Sequence, residues 1–139
     1  MNKKEYAISL HDRGCNCAQS VLCAFADECG IDEVTLMKLS EAFGRGGGGM
    51  NAMCGALSGA LMVASTKYAD GNIEAPNSKN TTYAIAEKIC ADFEKKCGSL
   101  VCKELKGIES GKVLTPCPEC IEIGVELAKK ALGGEYDNN

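Results

Sequence analysis

Ten cysteines stand in a chain of 139 residues, so any chemistry is to be sought first at sulfur. A thiolate attacks disulfides and binds soft metals, whereas a buried thiol behaves as a small hydrophobic group. Four of the ten follow closely on helix-start signals: Cys17 after Asn16, Cys54 after Asn51, Cys102 after Ser99 and Cys117 after Thr115. The first turn of a helix carries free N–H groups and the positive end of the dipole, which together favour the thiolate. Brought together, four such starts would surround an anionic iron–sulfur centre of the [2Fe–2S] type, form a redox dithiol without metal, or close a structural zinc site of four thiolates.

The other six are placed differently. Cys15 and Cys120 lie beside two of the four, in "CNC" and "CPEC", and are candidate additional metal ligands. Cys29 and Cys97 precede the helix-stopping Gly30 and Gly98, where the dipole disfavours a thiolate. Cys23 and Cys90 fall within helices and read as core residues. "CPEC" has the spacing of a thioredoxin-like redox pair, but no βαβ pattern surrounds it, which argues against that fold. Cys117 with Cys120 stays a second candidate redox pair, and Cys15/Cys17 with Cys117/Cys120 could also close a tetrahedral zinc site.

A run of glycines precedes Cys54. Gly44, Gly46 and Gly49 fit the letters of a dinucleotide loop, yet a helix rather than a strand comes before them, and no Gly-Lys-Ser/Thr follows. Gly46, Gly47, Gly48 and Gly49, with Gly55, are instead expected as cofactor-binding positions. There the backbone can approach a bulky centre and turn its N–H groups toward anionic sulfur. Arg45 would add charge to such a nest or stay solvated, and His11, the sole histidine, reads as a surface residue. No Ser–His–Asp set, H-E-x-x-H or paired catalytic carboxylates stand out.

The elements that must position these groups read as helices throughout, because no segment sustains period-2 alternation. Tyr6 and Leu10 share a face of a helix from Asn2 to Arg13. Asn16 with Gln19 forms a capping box for a helix that stops at Gly30. Asp32 caps the next, with Leu36, Leu39 and Phe43 turned inward. Asn51 opens a small-residue helix to about Ala69, and a loop leads to a helix near Ser78 that carries Ile85, Ile89 and Phe93. Ser99 caps a short turn ending at Gly107. Thr115-Pro116 starts the last helix, with Ile121, Val125, Ala128 and Leu132 as its stripe, and the tail 135–139 is expected to be frayed and disordered. The chain is thus expected to be one all-α domain, a compact bundle of about six or seven helices.

Composition narrows the function classes. Lys and Arg number 15 against 19 Asp and Glu, a net charge of −4 with no basic block, which argues against nucleic acid and anionic membrane surfaces. No signal peptide is evident, and the apolar stretch from Met50 to Ala64 is shorter than the roughly 20 residues of a spanning helix, so a cytoplasmic location is expected. A redox partner protein is the expected partner. The bare helix face at Gly55 and Gly59 could serve a homodimer as well as a core.

"NCAQSVLCAF", "CGALSGALMV", "SLVCKELKG" and "CPECIEIGVELA", in this order and spacing, resemble the C_GCAxxG_C_C family of redox-active proteins, roughly from Tyr6 to Leu132. The resemblance implies that the family's four cysteines fall on Cys17, Cys54, Cys102 and Cys117. Cys54 opens the C-G-A-x-x-G motif, with Met53 before it where the family's name carries Gly. It further implies a redox role for these four, as an electron carrier or an oxidoreductase. An iron–sulfur centre is associated with some related domains.

Overall fold

The computed structural model describes residues 1–137, and the final two residues lie outside the described part. Among the described residues nine helical segments follow one another: α1 (Lys3–Asp12), α2 (Cys17–Cys23), α3 (Ala26–Cys29), α4 (Glu33–Ser40), α5 (Gly44–Gly47), α6 (Gly55–Tyr68), α7 (Lys79–Cys97), α8 (Cys102–Lys106) and α9 (Cys117–Leu132). A 3-10 turn, Glu41–Phe43, joins α4 to α5. Among the described residues there is no strand, only one isolated antiparallel bridge between Met53 and Val101. The fold is a single all-α domain, and no described helix is long and apolar enough to cross a membrane.

Helix α6 lies at the centre, packed on α2 and on α9, while α1 and α7 close the sides. Small residues let these axes come close. A Cβ on Gly59 would stand 3.0 Å from the Ala18 carbonyl oxygen, and one on Gly124 would stand 2.8 Å from that of Ala56. Gly55 is equally tight, at 3.0 Å from the Ala18 nitrogen. The face at Gly55 and Gly59 is therefore used up inside the molecule, against α2, and is not open to a second copy. Around it, Leu57, Ile89, Phe93, Ile121 and Val125 are fully buried, each contributing about 1.5–3 kcal/mol of apolar burial.

Local signals set most boundaries. Asn16 accepts from the Gln19 N–H, and the Gln19 side chain accepts from the Asn16 N–H, the reciprocal capping box its sequence spells. Gly98 and Gly107 end α7 and α8 in left-handed conformation, at φ 100° and 69°. Other expectations are corrected. The helix from Asn16 breaks at Ala24–Phe25 into α2 and α3. Leu39 and Phe43 are exposed, because the buried positions of α4 are Leu36 and Ser40 and the 3-10 turn then rotates the chain. Helix α6 starts at Gly55 rather than at Asn51, with Cys54 as its N-cap. Val101 and Pro116, not Ser99 and Thr115, are the N-caps of α8 and α9.

The tail is held in place as far as it is described. Tyr136 is buried, its hydroxyl donates to Asp92 at 2.6 Å, and its carbonyl accepts from Lys88 at 2.8 Å. Fraying from residue 135 is thus corrected for 135–137. The part of that expectation on 138–139 falls outside the described residues.

Candidate functional site

Four helix starts meet at one end of the α2–α6–α9 stack. Cys17 is the first residue of α2, Cys54 caps α6, Cys102 opens α8 and Cys117 opens α9. All four line one cavity of about 220 Å³, and Cys120, a turn along α9, is a fifth sulfur on its wall. Cys54 and Cys102 are buried, whereas Cys17 and Cys117 are half-buried. Cys15 does not join them: its thiol lies 3.8 Å from the Met37 sulfur and off the cavity wall. Of the two additional candidates, Cys120 is at the cavity and Cys15 is not.

Two segments far apart in sequence bring Cys54 and Cys102 together. The Cys54 N–H donates to the Leu100 carbonyl at 2.8 Å, and the Cys102 N–H donates to the Ala52 carbonyl at 3.0 Å. The Lys103 N–H reaches the Met50 carbonyl at 2.9 Å. This short antiparallel pairing occupies residues 50–54, which is why α6 cannot begin at Asn51. The glycine run serves it. Arg45 and Gly46 take left-handed φ/ψ of 50°/46° and 56°/50°, so α5 is a turn of reversed hand that delivers the chain to the pairing segment. A Cβ on Gly46 would come within 2.5 Å of the Cys102 Cβ, so only glycine lets this turn lie against Cys102. Gly46 is buried there and Gly55 lines the cavity, while Gly47, Gly48 and Gly49 are exposed and off its wall.

Basic side chains complete the wall. Arg45, Lys106 and His11 all line the cavity. Arg45 is exposed and steadied by its Nε, which donates to the Gly48 carbonyl at 2.9 Å. His11 lines the cavity, with its Nδ1 3.2 Å from the Cys15 carbonyl oxygen, so this residue belongs to the candidate site and not merely to the surface. Lys106 stands four residues after Cys102, one helical turn on, a spacing that the sequence displays and that helix-start placement alone does not use.

The thiols are electrostatically unequal. A hydrogen bond from Cys17 holds Cys117 down to about 6; burial opposes it, and the charges of Lys106 and His11 and a backbone N–H assist it. The same bond keeps Cys17 protonated, raising it far above the ordinary thiol range, with burial adding to it. Cys54 is likewise raised, first by donating to Cys120 and then by burial, although the Ala56 and Leu57 N–H groups at the start of α6 pull it back. Cys120 accepts that bond, which favours its thiolate, but its own bond to Cys97 and its burial push it up to about 12. Burial raises Cys102, with Lys106 opposing. Helix-start position alone therefore does not make a thiolate: of the four, only Cys117 lies below the ordinary thiol range.

Sequence places Cys97 at a helix end, outside the site, and holds no sign of its contact with Cys120. Cys23 is buried, as a core residue should be, and Cys90 is half-buried against the core. All ten cysteines are free thiols.

The arrangement bears on what the cavity could hold. A single zinc ion needs its thiolates about 2.3 Å from one point. Among the described residues no three His, Cys, Asp or Glu side chains are gathered closely enough to hold a metal ion. The cysteines line the wall of one cavity. A zinc site of four thiolates is thus not preformed. A cluster, whose several metal atoms spread its ligands apart, is compatible with the donor set and with the basic wall.

Over residues 15–131 the chain matches the family described as "Putative redox-active protein (C_GCAxxG_C_C)", and it belongs to that family. No curated protein and no solved structure gives a significant match.

Proposed function

We propose that this cavity is a redox centre for electron transfer, in which Cys17, Cys54, Cys102 and Cys117 hold an iron–sulfur cluster of the [2Fe–2S] type. The observation that carries the reading is the cavity of about 220 Å³ walled by all four helix-start cysteines together with Arg45, Lys106 and His11. Reversible one-electron exchange is the chemistry such a cluster supplies when bound. The chain's own part is to provide four thiolates, to offset their charge and to shield them. Lys106 and Arg45 offset negative charge at Cys102 and Lys106 does so at Cys117, while the Ala56 and Leu57 N–H groups face Cys54. Leu105 and Thr115 wall off the inner side, and the half-buried Cys17 and Cys117 form the side nearest solvent, where a redox partner protein would dock.

One observation favours a second reading, a metal-free thiol–disulfide protein. Cys17 and Cys117 both line the cavity, and the interaction between them holds Cys117 below the ordinary thiol range and Cys17 above it. Cys117 would attack a partner disulfide and expel one thiolate. Cys17 would then attack the mixed disulfide, forming a Cys17–Cys117 bond and releasing the second thiol.

Cys102 separates the readings, because it belongs to the cluster set but not to this pair. In Cys102→Ser protein purified without oxygen, the cluster reading expects the iron and sulfide present in the wild type to be lost. Wild-type protein free of iron and sulfide, with exchange activity that Cys102→Ser leaves intact, would establish the second reading instead.

A further inference from the structure

Behind the cavity wall the sulfurs continue inward. Cys54, Cys120 and Cys97 perturb one another's ionisation, so three neighbouring thiols run from the cavity toward the core. Cys120 and Cys97 are only 2% and 3% exposed, and Cys97 does not reach the cavity. One buried residue holds both. The Thr115 hydroxyl donates to the Cys97 carbonyl at 2.7 Å, and the Thr115 carbonyl oxygen accepts from the Cys120 thiol at 3.6 Å. This fixes the last residue of α7 beside the first turn of α9. Neither Cys97 nor Cys120 is among the family's four cysteines, and the electron-transfer reading uses neither.

We propose that Cys97 and Cys120 are a second, interior redox pair, forming a reversible disulfide when a small disulfide enters the cavity of the cluster-free protein. Cys120 is the sulfur such a molecule meets, because it alone of the pair lies on the wall. It attacks one sulfur of the incoming disulfide, whose S–S bond breaks; one small thiol leaves, carrying the proton that Cys120 gives up. Cys97, held beside it through Thr115, then attacks the Cys120 sulfur of the mixed disulfide, and the second small thiol leaves with the Cys97 proton. The small disulfide is reduced by two electrons and the pair is oxidised by two. Closing this bond takes Cys120 away from Cys54, so the state of the inner pair is felt at the cavity.

The test is to treat the full-length protein, freed of any iron, with cystamine, block remaining thiols in denaturant, and map the disulfides by mass spectrometry. Cys97 and Cys120 each share a tryptic peptide with a second cysteine, Cys102 and Cys117 respectively, so fragment spectra must assign the sulfurs. The expected product is a Cys97–Cys120 link that dithiothreitol reverses. It should also form in Cys17→Ser/Cys117→Ser protein, where the outer pair and the cluster ligands are both broken. Cys97→Ser should instead trap a cystamine adduct on Cys120. A Cys54–Cys120 link, or Cys97 left free while Cys120 is modified, would overturn the proposal, and both are read on wild-type protein without relying on any variant's folding.

Discussion

Helix α2 carries a cysteine at each end, only six residues apart, and the two have different chemistry. Cys17, in the first turn, lines the cavity and shares a hydrogen bond with Cys117. Cys23, in the last turn, is buried, with its thiol 3.8 Å from the Glu33 carbonyl, and is pushed up to about 11, first by burial and then by the Glu33 charge. The same contrast divides the molecule. At one end, helix starts point sulfur at a shared cavity; elsewhere Cys23, Cys29 and Cys90 occupy the ends and flanks of helices as packing groups. Placement relative to helix direction and to a common space separates a site thiol from a core thiol, and cysteine content alone does not.

The largest expected effect breaks this contrast outright. Cys54→Ser should lose essentially all bound iron in anaerobically purified protein, while Cys23→Ser retains it; iron assays on the two folded variants decide the matter. Next comes the turn that sets Cys102 in place. Gly46→Ala puts a methyl group 2.5 Å from the Cys102 Cβ at a φ of 56°. It should cost about 2–4 kcal/mol in denaturant melts. Gly49→Ala, at negative φ with nothing nearer than 3.8 Å, should stay within about 0.5 kcal/mol of wild type. Equal losses at the two glycines would mean that the run acts only as a flexible connector.

A smaller effect sharpens the electrostatic side of the comparison. Thiolate fraction rises with pH through the pKa, so Cys117, held down to about 6, is already mostly ionised at neutral pH. In iron-free protein its labelling by iodoacetamide should level off above about pH 7. Cys23, buried and pushed up to about 11, should stay slow and still be gaining rate at the alkaline end. Peptide-resolved labelling across pH checks both. The smallest change is expected at Cys90, half-buried on α7 and off the cavity: Cys90→Ser should shift stability by no more than about 0.5–1 kcal/mol and leave iron content untouched.

Much of this was legible in the sequence because its signals are local. The Asn16–Gln19 box, the Gly98 and Gly107 stops and the stripe of Ile121, Val125 and Ala128 each depend on neighbours within a turn or two. They placed the four cysteines at helix starts. What escaped was non-local. The pairing of residues 50–54 with 100–103 displaced the start of α6 and could not be inferred from either segment alone. The neighbourhoods of Cys17 with Cys117 and of Cys97 with Cys120 join residues whose proximity only the packed helices decide. His11 draws a surface reading from its charged neighbours, yet the crossing of α1 over the start of α2 brings it to the cavity. The exposed Gly47, Gly48 and Gly49 show the opposite error, composition suggesting a cradle where Gly46 alone makes the close approach.

The central claim is that the cavity is built around a cluster, and the visible absorption spectrum of protein purified without oxygen tests it most directly, with iron, sulfide and zinc assayed on the same sample. Charge-transfer bands accompanied by iron and acid-labile sulfide in matching amounts are the predicted result. Colourless protein, whether metal-free with reactive Cys17 and Cys117 or carrying stoichiometric zinc, would contradict it.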